Sequence, residues 1–386
     1  MLASILILLS AIGVIGANSL LLSPLVTAVG TDFQVSAAQV MQAASAYGLG
    51  VAAAALMLAP LGDRFGAGRL LRIALVFLAI GLAASALAPN VVALIAAQTL
   101  CGLAGGAALP SIYTLAITIA PKGRESQTLG IVLTGWTVSL VLGVSAGAWI
   151  TDLFGWRAVY TVLSIGTVLL WLFSAKLRQL GPSGTRTTSP LTALKVPGIA
   201  RGLAATVLLM LAFYITYFFV GAHVTVALGL STTKAGLIPL FYGIGFGLAV
   251  LADPVLDRVG LARATAPVFL LISLIYVCMI AATGSFHLML LMAVFWGVFQ
   301  HLGLNLLVAR LTALDPSQRG AIMGLYSTAT YLCIFAVPII GDMAFASWGL
   351  TGCLAISALL CLLEAFESLS LRRVTSMAPA APDAPV

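Results

Sequence analysis

Apolar runs long enough to cross a bilayer recur along this whole chain, and that limits its possible folds more than any other feature. A helix needs about 20 predominantly apolar residues to span a hydrocarbon core of roughly 30 Å. Twelve such runs can be drawn, at roughly 3–29, 37–59, 70–88, 91–118, 127–151, 157–177, 203–228, 233–253, 264–283, 286–313, 320–346 and 349–371. They are nearly continuous rather than alternating, which fits helices and not barrel strands. With 61% hydrophobic and 8% charged residues among 386, an ordinary water-soluble enzyme is excluded. The expected fold is all-α and membrane-integral, with twelve transmembrane helices.

The first run lacks a basic leader and is too long for a signal-peptide core, so it reads as helix 1. Loops on the cytoplasmic side carry the excess of Lys and Arg. If the turn at Asp63 is cytoplasmic, that side holds sixteen of the eighteen basic residues, leaving Arg157 and Lys234 opposite. A multi-pass protein of the cytoplasmic (inner) membrane is expected, both termini in the cytoplasm. The formal charge of +7 is then a topology signal, and no compact basic domain offers itself to nucleic acid. The five cysteines, Cys101, Cys278, Cys333, Cys353 and Cys361, lie inside spans without ligand spacing and read as packing residues. No metal cluster, nucleophile elbow, phosphate loop or dinucleotide fingerprint occurs. Neither metal, cofactor nor enzymatic activity is expected.

One short string occurs twice. Asp63-Arg64-Phe65-Gly66-Ala67-Gly68-Arg69 returns as Asp257-Arg258-Val259-Gly260-Leu261-Ala262-Arg263, 257 − 63 = 194 residues later. Pro121 after span 4 is matched by Pro316 after span 10, 316 − 121 = 195 residues on. Two landmarks at nearly one offset predict two pseudo-symmetric six-helix halves, 1–177 and 203–373. Parallel halves of this kind are a transporter architecture, with the substrate site between them near the midplane. The segment 178–202, basic and rich in Gly, Pro and Ser, reads as a flexible cytoplasmic linker. The Pro/Ala-rich tail 374–386 reads as disordered.

These residues resemble the major facilitator superfamily, and within it the twelve-helix drug–proton antiporter-like and sugar-efflux-like exporters. The helix 2–3 motif of that family, Gly-x-x-x-Asp-Arg-x-Gly-Arg-Arg, reads here from Ala59 to Arg69, with Ala for the first Gly and Arg69 for the basic pair. Gly155-Trp156-Arg157 at the start of helix 6 is also similar. Gly66 permits a tight turn, and Asp63 can accept hydrogen bonds from a helix start. The resemblance implies that this start is helix 11, near Gly320. Asp63, Arg64, Gly66 and Arg69, with Asp257, Arg258 and Gly260 in the repeat, would then latch the cytoplasmic side. On helix 5, Ser139, Gly143 and Gly147 form a small-residue stripe for close helix packing. It resembles the antiporter motif Gly-x-x-x-Gly-Pro-x-x-Gly-Gly, with Val144 for Pro and Ala148 for the last Gly.

Polar and aromatic residues inside spans are candidates for a central cavity, because burying them in lipid is costly. They are Asn18, Gln42, Tyr47, Gln98 and Trp136 in the first half. The second half adds Tyr214, Tyr217, His223, Tyr242, Gln300, His301, Asn305, Tyr326 and Tyr331. His301 and Asn305 share a helical face. Such a cavity suits neutral or amphipathic solutes. Relatives often carry an acid on helix 1 and an Arg on helix 4; Asn18 and Gln98 stand there and do not titrate. His223 and His301 are therefore the candidate proton carriers, joined by Asp253, the deepest acid expected in the second half and a possible partner of Arg310. The expected function is export of a drug or metabolite by rocker-switch alternating access, with proton antiport. An uncoupled facilitator or uptake carrier is the alternative, favoured by Gln98. Partners are a small organic substrate, protons and the lipid bilayer, and a monomer is expected.

Overall fold

The computed structural model describes residues 2–58, 65–122, 124–178, 180, 190–315 and 318–377. Within them the chain is helical throughout, without strands. Helix α1 runs Leu2–Leu20 and resumes as Leu22–Phe33; Pro24, with no N–H to give the preceding turn, explains the interruption. There follow α2 (Ala37–Met57), α3 (Ala67–Ala86), α4 (Val91–Thr118), α5 (Thr128–Phe154) and α6 (Trp156–Phe173). The second half holds α7 (Ile199–Ala222), α8 (Thr232–Leu248, continued to Val259), α9 (Leu261–Ala282) and α10 (Phe286–Leu314). The last apolar stretch, Ala321–Leu369, has 49 residues, about 70 Å as one helix and twice what a bilayer accommodates. It doubles back at Gly349, where φ is 59°, giving α11 (319–348) and α12 (350–377). The molecule is thus an all-α multi-pass membrane protein of twelve spans in two halves.

The repeat is written into the geometry more deeply than into the charged string. Gly66 and Gly260 both precede a helix with left-handed φ, 91° and 81°, a conformation open to Gly because it lacks Cβ. Gly155 and Gly349, 349 − 155 = 194 residues apart, make the same kind of turn between α5 and α6 and between α11 and α12. Ser36 caps α2 and Ser231 caps α8, 231 − 36 = 195 residues apart. The packing also repeats. A methyl on Gly102 of α4 would overlap the Tyr47 carbonyl of α2, and one on Gly297 of α10 would overlap the Tyr242 carbonyl of α8. The reverse contacts, Gly50 on Thr99 and Gly245 on Val294, match as well. All four pairs of positions differ by 195.

Two boundaries differ from those expected. Helix α7 begins at Ile199 rather than 203, and Pro190–Lys195 of the linker forms a short 3₁₀ helix. Ala193 and Val196 are buried there against Leu311, Ile322 and Leu325, so burial of their apolar side chains anchors this part of the linker beneath the second half. Residues 181–189, which carry five of the linker's nine Gly, Pro and Ser residues, lie outside the described residues. The tail is helical to Met377, and 378–386 likewise lie outside.

The halves meet mainly on the face away from the termini, called here the far face. Ser23 of α1 donates to the Tyr217 carbonyl of α7, the Thr27 and Thr225 hydroxyls are 2.6 Å apart, and Ser45 of α2 donates to the Phe335 carbonyl of α11 at 2.9 Å. Gly221 lets α7 lie on the backbone of Ser23 and Pro24. On the α5–α8 seam, Gly236 packs on Ala148 and Gly243 on Leu140 and Val141. Toward the termini, the Glu125–Leu133 part of α5 packs chiefly on α1 and α4, and Asp253–Val259 of α8 on α9. Near that face Leu56 of α2 still packs against the second-half cluster of Leu311, Ile322 and Leu325.

Candidate functional site

At the middle of the seam, tyrosines from both halves converge. Tyr331 of α11 has Tyr47, Tyr113, Tyr214 and Tyr326 as electrostatic neighbours, and its ring meets that of Tyr47 edge-on at 6.4 Å. Tyr47 donates to the Ile15 carbonyl at 3.2 Å. Tyr113 and Tyr326 are half-buried, and Tyr113 lies beside Trp136. Tyr113 was absent from the sequence candidates, although a tyrosine within the α4 span is the same signal that singled out the others. Phenolic rings present an apolar body and one hydrogen-bonding group, a surface suited to a solute with both characters.

From this centre a run of aromatic rings crosses the second half. Phe213 touches Tyr217, Tyr242 and Trp296 at 5.3, 5.3 and 5.4 Å, Tyr242 touches Phe246 at 6.0 Å, and Phe246 meets His301 edge-on at 4.8 Å. The indole of Trp296 donates to the Tyr276 hydroxyl at 2.9 Å, which removes its polar cost. The Tyr217 hydroxyl and the Gln300 Oε1 are buried without a protein partner.

The run ends at a polar triad. After a 3₁₀ turn at Ala249–Ala252, α8 restarts at Asp253, and the carboxylate reaches α10. Its oxygens lie 3.2 and 3.3 Å from His301 Nε2, and Oδ1 accepts from Asn305 Nδ2 at 2.9 Å. Asn305 Nδ2 is also 3.0 Å from His301 Nε2. One nitrogen cannot donate to Asp253 and accept from Asn305 at once. The triad therefore has two hydrogen-bond arrangements that differ in where a proton sits. The His301 side chain is 10% exposed and that of Asp253 31%. A cavity of about 580 Å³, lined by Asp253, Leu256, Leu261, Asn305 and Leu306, lies against the carboxylate. The His301 Nδ1 is buried and unpartnered.

Other expected residues are placed differently. Asp253 does not pair with Arg310. Arg310 instead lies 3.3 Å from Glu364 and 3.4 Å from Glu367, both on α12. Glu364, 1% exposed, is more buried than Asp253, and sequence reading overlooked it because it lies near the end of its span. Asn18 and Gln98 bond to each other at 3.0 Å, and Gln98 donates to Ser85 at 3.0 Å. They form a closed network between α1, α3 and α4. His223 lies near the far face, 2.9 Å from the Thr283 carbonyl, remote from Asp253. Gln42 is exposed. Ser139, Gly143 and Gly147 face Gly16, Ala17 and Leu21 of α1, and Ser139–Val144 is a π-helical turn, which widens α5 at the contact. Arg69 and Arg258 are exposed. Asp63 and Arg64, and the side chain of Asp257, lie outside the described residues.

Two parallel six-helix halves packed along one seam define a carrier that exposes a central site to one side at a time. The chain belongs to the Major Facilitator Superfamily, whose family model matches residues 7–253. It is 28% identical over 369 residues to an uncharacterized MFS-type transporter, YwfA, of Bacillus subtilis (strain 168), covering 91% of this chain and 88% of that protein. Among solved structures, a D-xylose-proton symporter matches with TM-score 0.78 and 16% identity, covering 95% of this chain and 97% of that one. An inward-facing, occupied bacterial homolog to the human lysosomal transporter Spinster matches with TM-score 0.73 and 15% identity, covering 98% of each chain. The chain is thus a secondary carrier with alternating access, in a family of carriers rather than enzymes.

Proposed function

We propose that the protein exports a small organic molecule, drug or metabolite, in exchange for protons, and that His301 with Asp253 carries the proton. The reading rests on the His301–Asp253–Asn305 triad. It joins a carboxylate to an imidazole, either of whose ring nitrogens can hold a proton, beside a cavity and at the end of an aromatic wall leading from the central tyrosines. Gain or loss of a proton changes which of the three groups bond, and a change in α8–α10 contacts is the form that coupling to a rocking motion requires. The substrate binds among Tyr47, Tyr113, Trp136, Tyr214, Tyr326 and Tyr331. Export is favoured over uptake by the small-residue contact of α5 with α1, which resembles the antiporter motif. The basic-residue bias supports a cytoplasmic termini face in the cytoplasmic membrane.

Proteoliposomes test the assignment. Candidate solutes are first selected by thermal shift at pH 6 and pH 8, since a ligand stabilises the fold according to its concentration over its Kd. Uptake into vesicles is then measured with and without an imposed pH gradient. Wild type is expected to concentrate the solute against its gradient, while His301→Ala and Asp253→Asn equilibrate it without concentrating it. Wild-type transport indifferent to the pH gradient would replace antiport by facilitated diffusion, the reading that Gln98 favours.

A further inference from the structure

We propose that Asp152 is a far-face latch that holds the two halves together by capping α8 from the opposite half. Its Oδ2 accepts the backbone N–H of Thr233 at 2.6 Å. Asp152 sits in the last turn of α5, where a negative charge opposes the dipole of its own helix. Thr233 sits in the first turn of α8, where a negative charge is stabilised. The carboxylate is thus unfavourable for α5 alone and favourable only while α8 is docked.

The internal repeat supplies a comparison. The twin of this seam joins the end of α11 to the start of α2. There α2 completes its own cap: Ser36 accepts from Gln39 N, and the Gln39 side chain accepts from Ser36 N at 2.9 Å. Residue 39 + 195 = 234 is Lys234 in α8, a donor that cannot return a hydrogen bond to the Ser231 N–H. Residue 152 + 194 = 346 is Ala346, so the carboxylate at this position is not repeated in the twin seam. At the twin seam α2 completes its cap from within itself, whereas α8 adds to its own Ser231 cap an acceptor from the opposite half. Thr27 and Thr225, 2.6 Å apart, line the same crevice of about 510 Å³. All these contacts must break before the far face opens.

The second far-face carboxylate provides the control. Asp32 lines that crevice too, but it is bound to Arg157 and to the Trp156 indole, all within the first half. It should not respond to separation of the halves. The inference needs only alternating access, and neither the direction of transport nor its coupling.

The test is a distance measurement by double electron–electron resonance on the full chain, with spin labels at Phe154 and Val226, 72% and 70% exposed on opposite halves. Cys278, the exposed cysteine among those described, is replaced by Ala. Asp152→Ala is expected to raise the population with the far face parted by roughly three- to tenfold. Asp152→Asn keeps an acceptor oxygen and should raise it less, and Asp32→Asn should leave it as in the parent. Asp152→Asn also retains the side-chain shape, so it reports even if the alanine variant folds poorly. An unchanged distribution in both Asp152 variants would overturn the latch. So would an Asp32→Asn shift as large as that of Asp152→Asn, because the effect would then be one of general charge.

Discussion

Arg310 shows how strictly this interior treats charge. Its guanidinium is held between Glu364 and Glu367, and the Ser368 hydroxyl donates to Glu364 at 3.2 Å. Removing one partner of such a pair leaves the other uncompensated, whereas removing both can be nearly neutral. Arg310→Leu is therefore expected to cost about 3–5 kcal/mol, read as a lowered Tm in detergent. The double variant with Glu364→Leu should recover much of that loss; additive losses would argue against the pairing. At this scale the sequence was least informative. It marked Asp253, His301 and Asn305 as residues of interest, and the spacing of four put the last two on one face. Which acid meets which base depends on how α8, α10 and α12 are arranged, and no local pattern encodes that. Asn18 and Gln98, 80 residues apart, satisfy each other for the same nonlocal reason.

At the scale of elements, the α8–α10 crossing sets the distance between Asp253 and His301. Gly245 and Gly297 bring the two backbones together where a methyl would overlap a carbonyl. Gly297→Ala is expected to cost about 1–3 kcal/mol through overpacking and to weaken the pH dependence of transport as the triad is pushed apart. Gly166 on α6 has open space around it, and Gly166→Ala should be neutral or slightly stabilising by helix propensity. Thermal melts with paired transport assays distinguish the two. Spans were readable because hydropathy and length are local properties. The π turn in α5 and the early start of α7 were not, since each depends on a neighbour. The matching pairs Gly102 with Gly297 and Tyr47 with Tyr242 did stand in the sequence at the offset of the charged string. Small apolar and aromatic residues are too common in such a chain to attract notice without the contact between them.

The whole molecule alternates between two ways of closing one seam, so residues outside the substrate site can govern its speed. Asp63→Asn is expected to reduce turnover by tenfold or more while changing substrate affinity less than about threefold, through a shift of state populations. Single-turnover and equilibrium binding measurements separate these effects, and unchanged turnover would remove the cytoplasmic latch that its motif implies. The match of Gly66 to Gly260, of Gly155 to Gly349 and of Ser36 to Ser231 has a consequence for reading this chain's history. A duplicated ancestor begins with two copies under the same constraints, and each copy is afterwards a record of what the other was free to change. Where the copies still agree, they preserve the hinge and the frame. Where they part, as at Gln39 and Lys234 or at Asp152 and Ala346, one ancestral surface has been given two different jobs, and the divergence itself marks where the two seams of the far face are told apart.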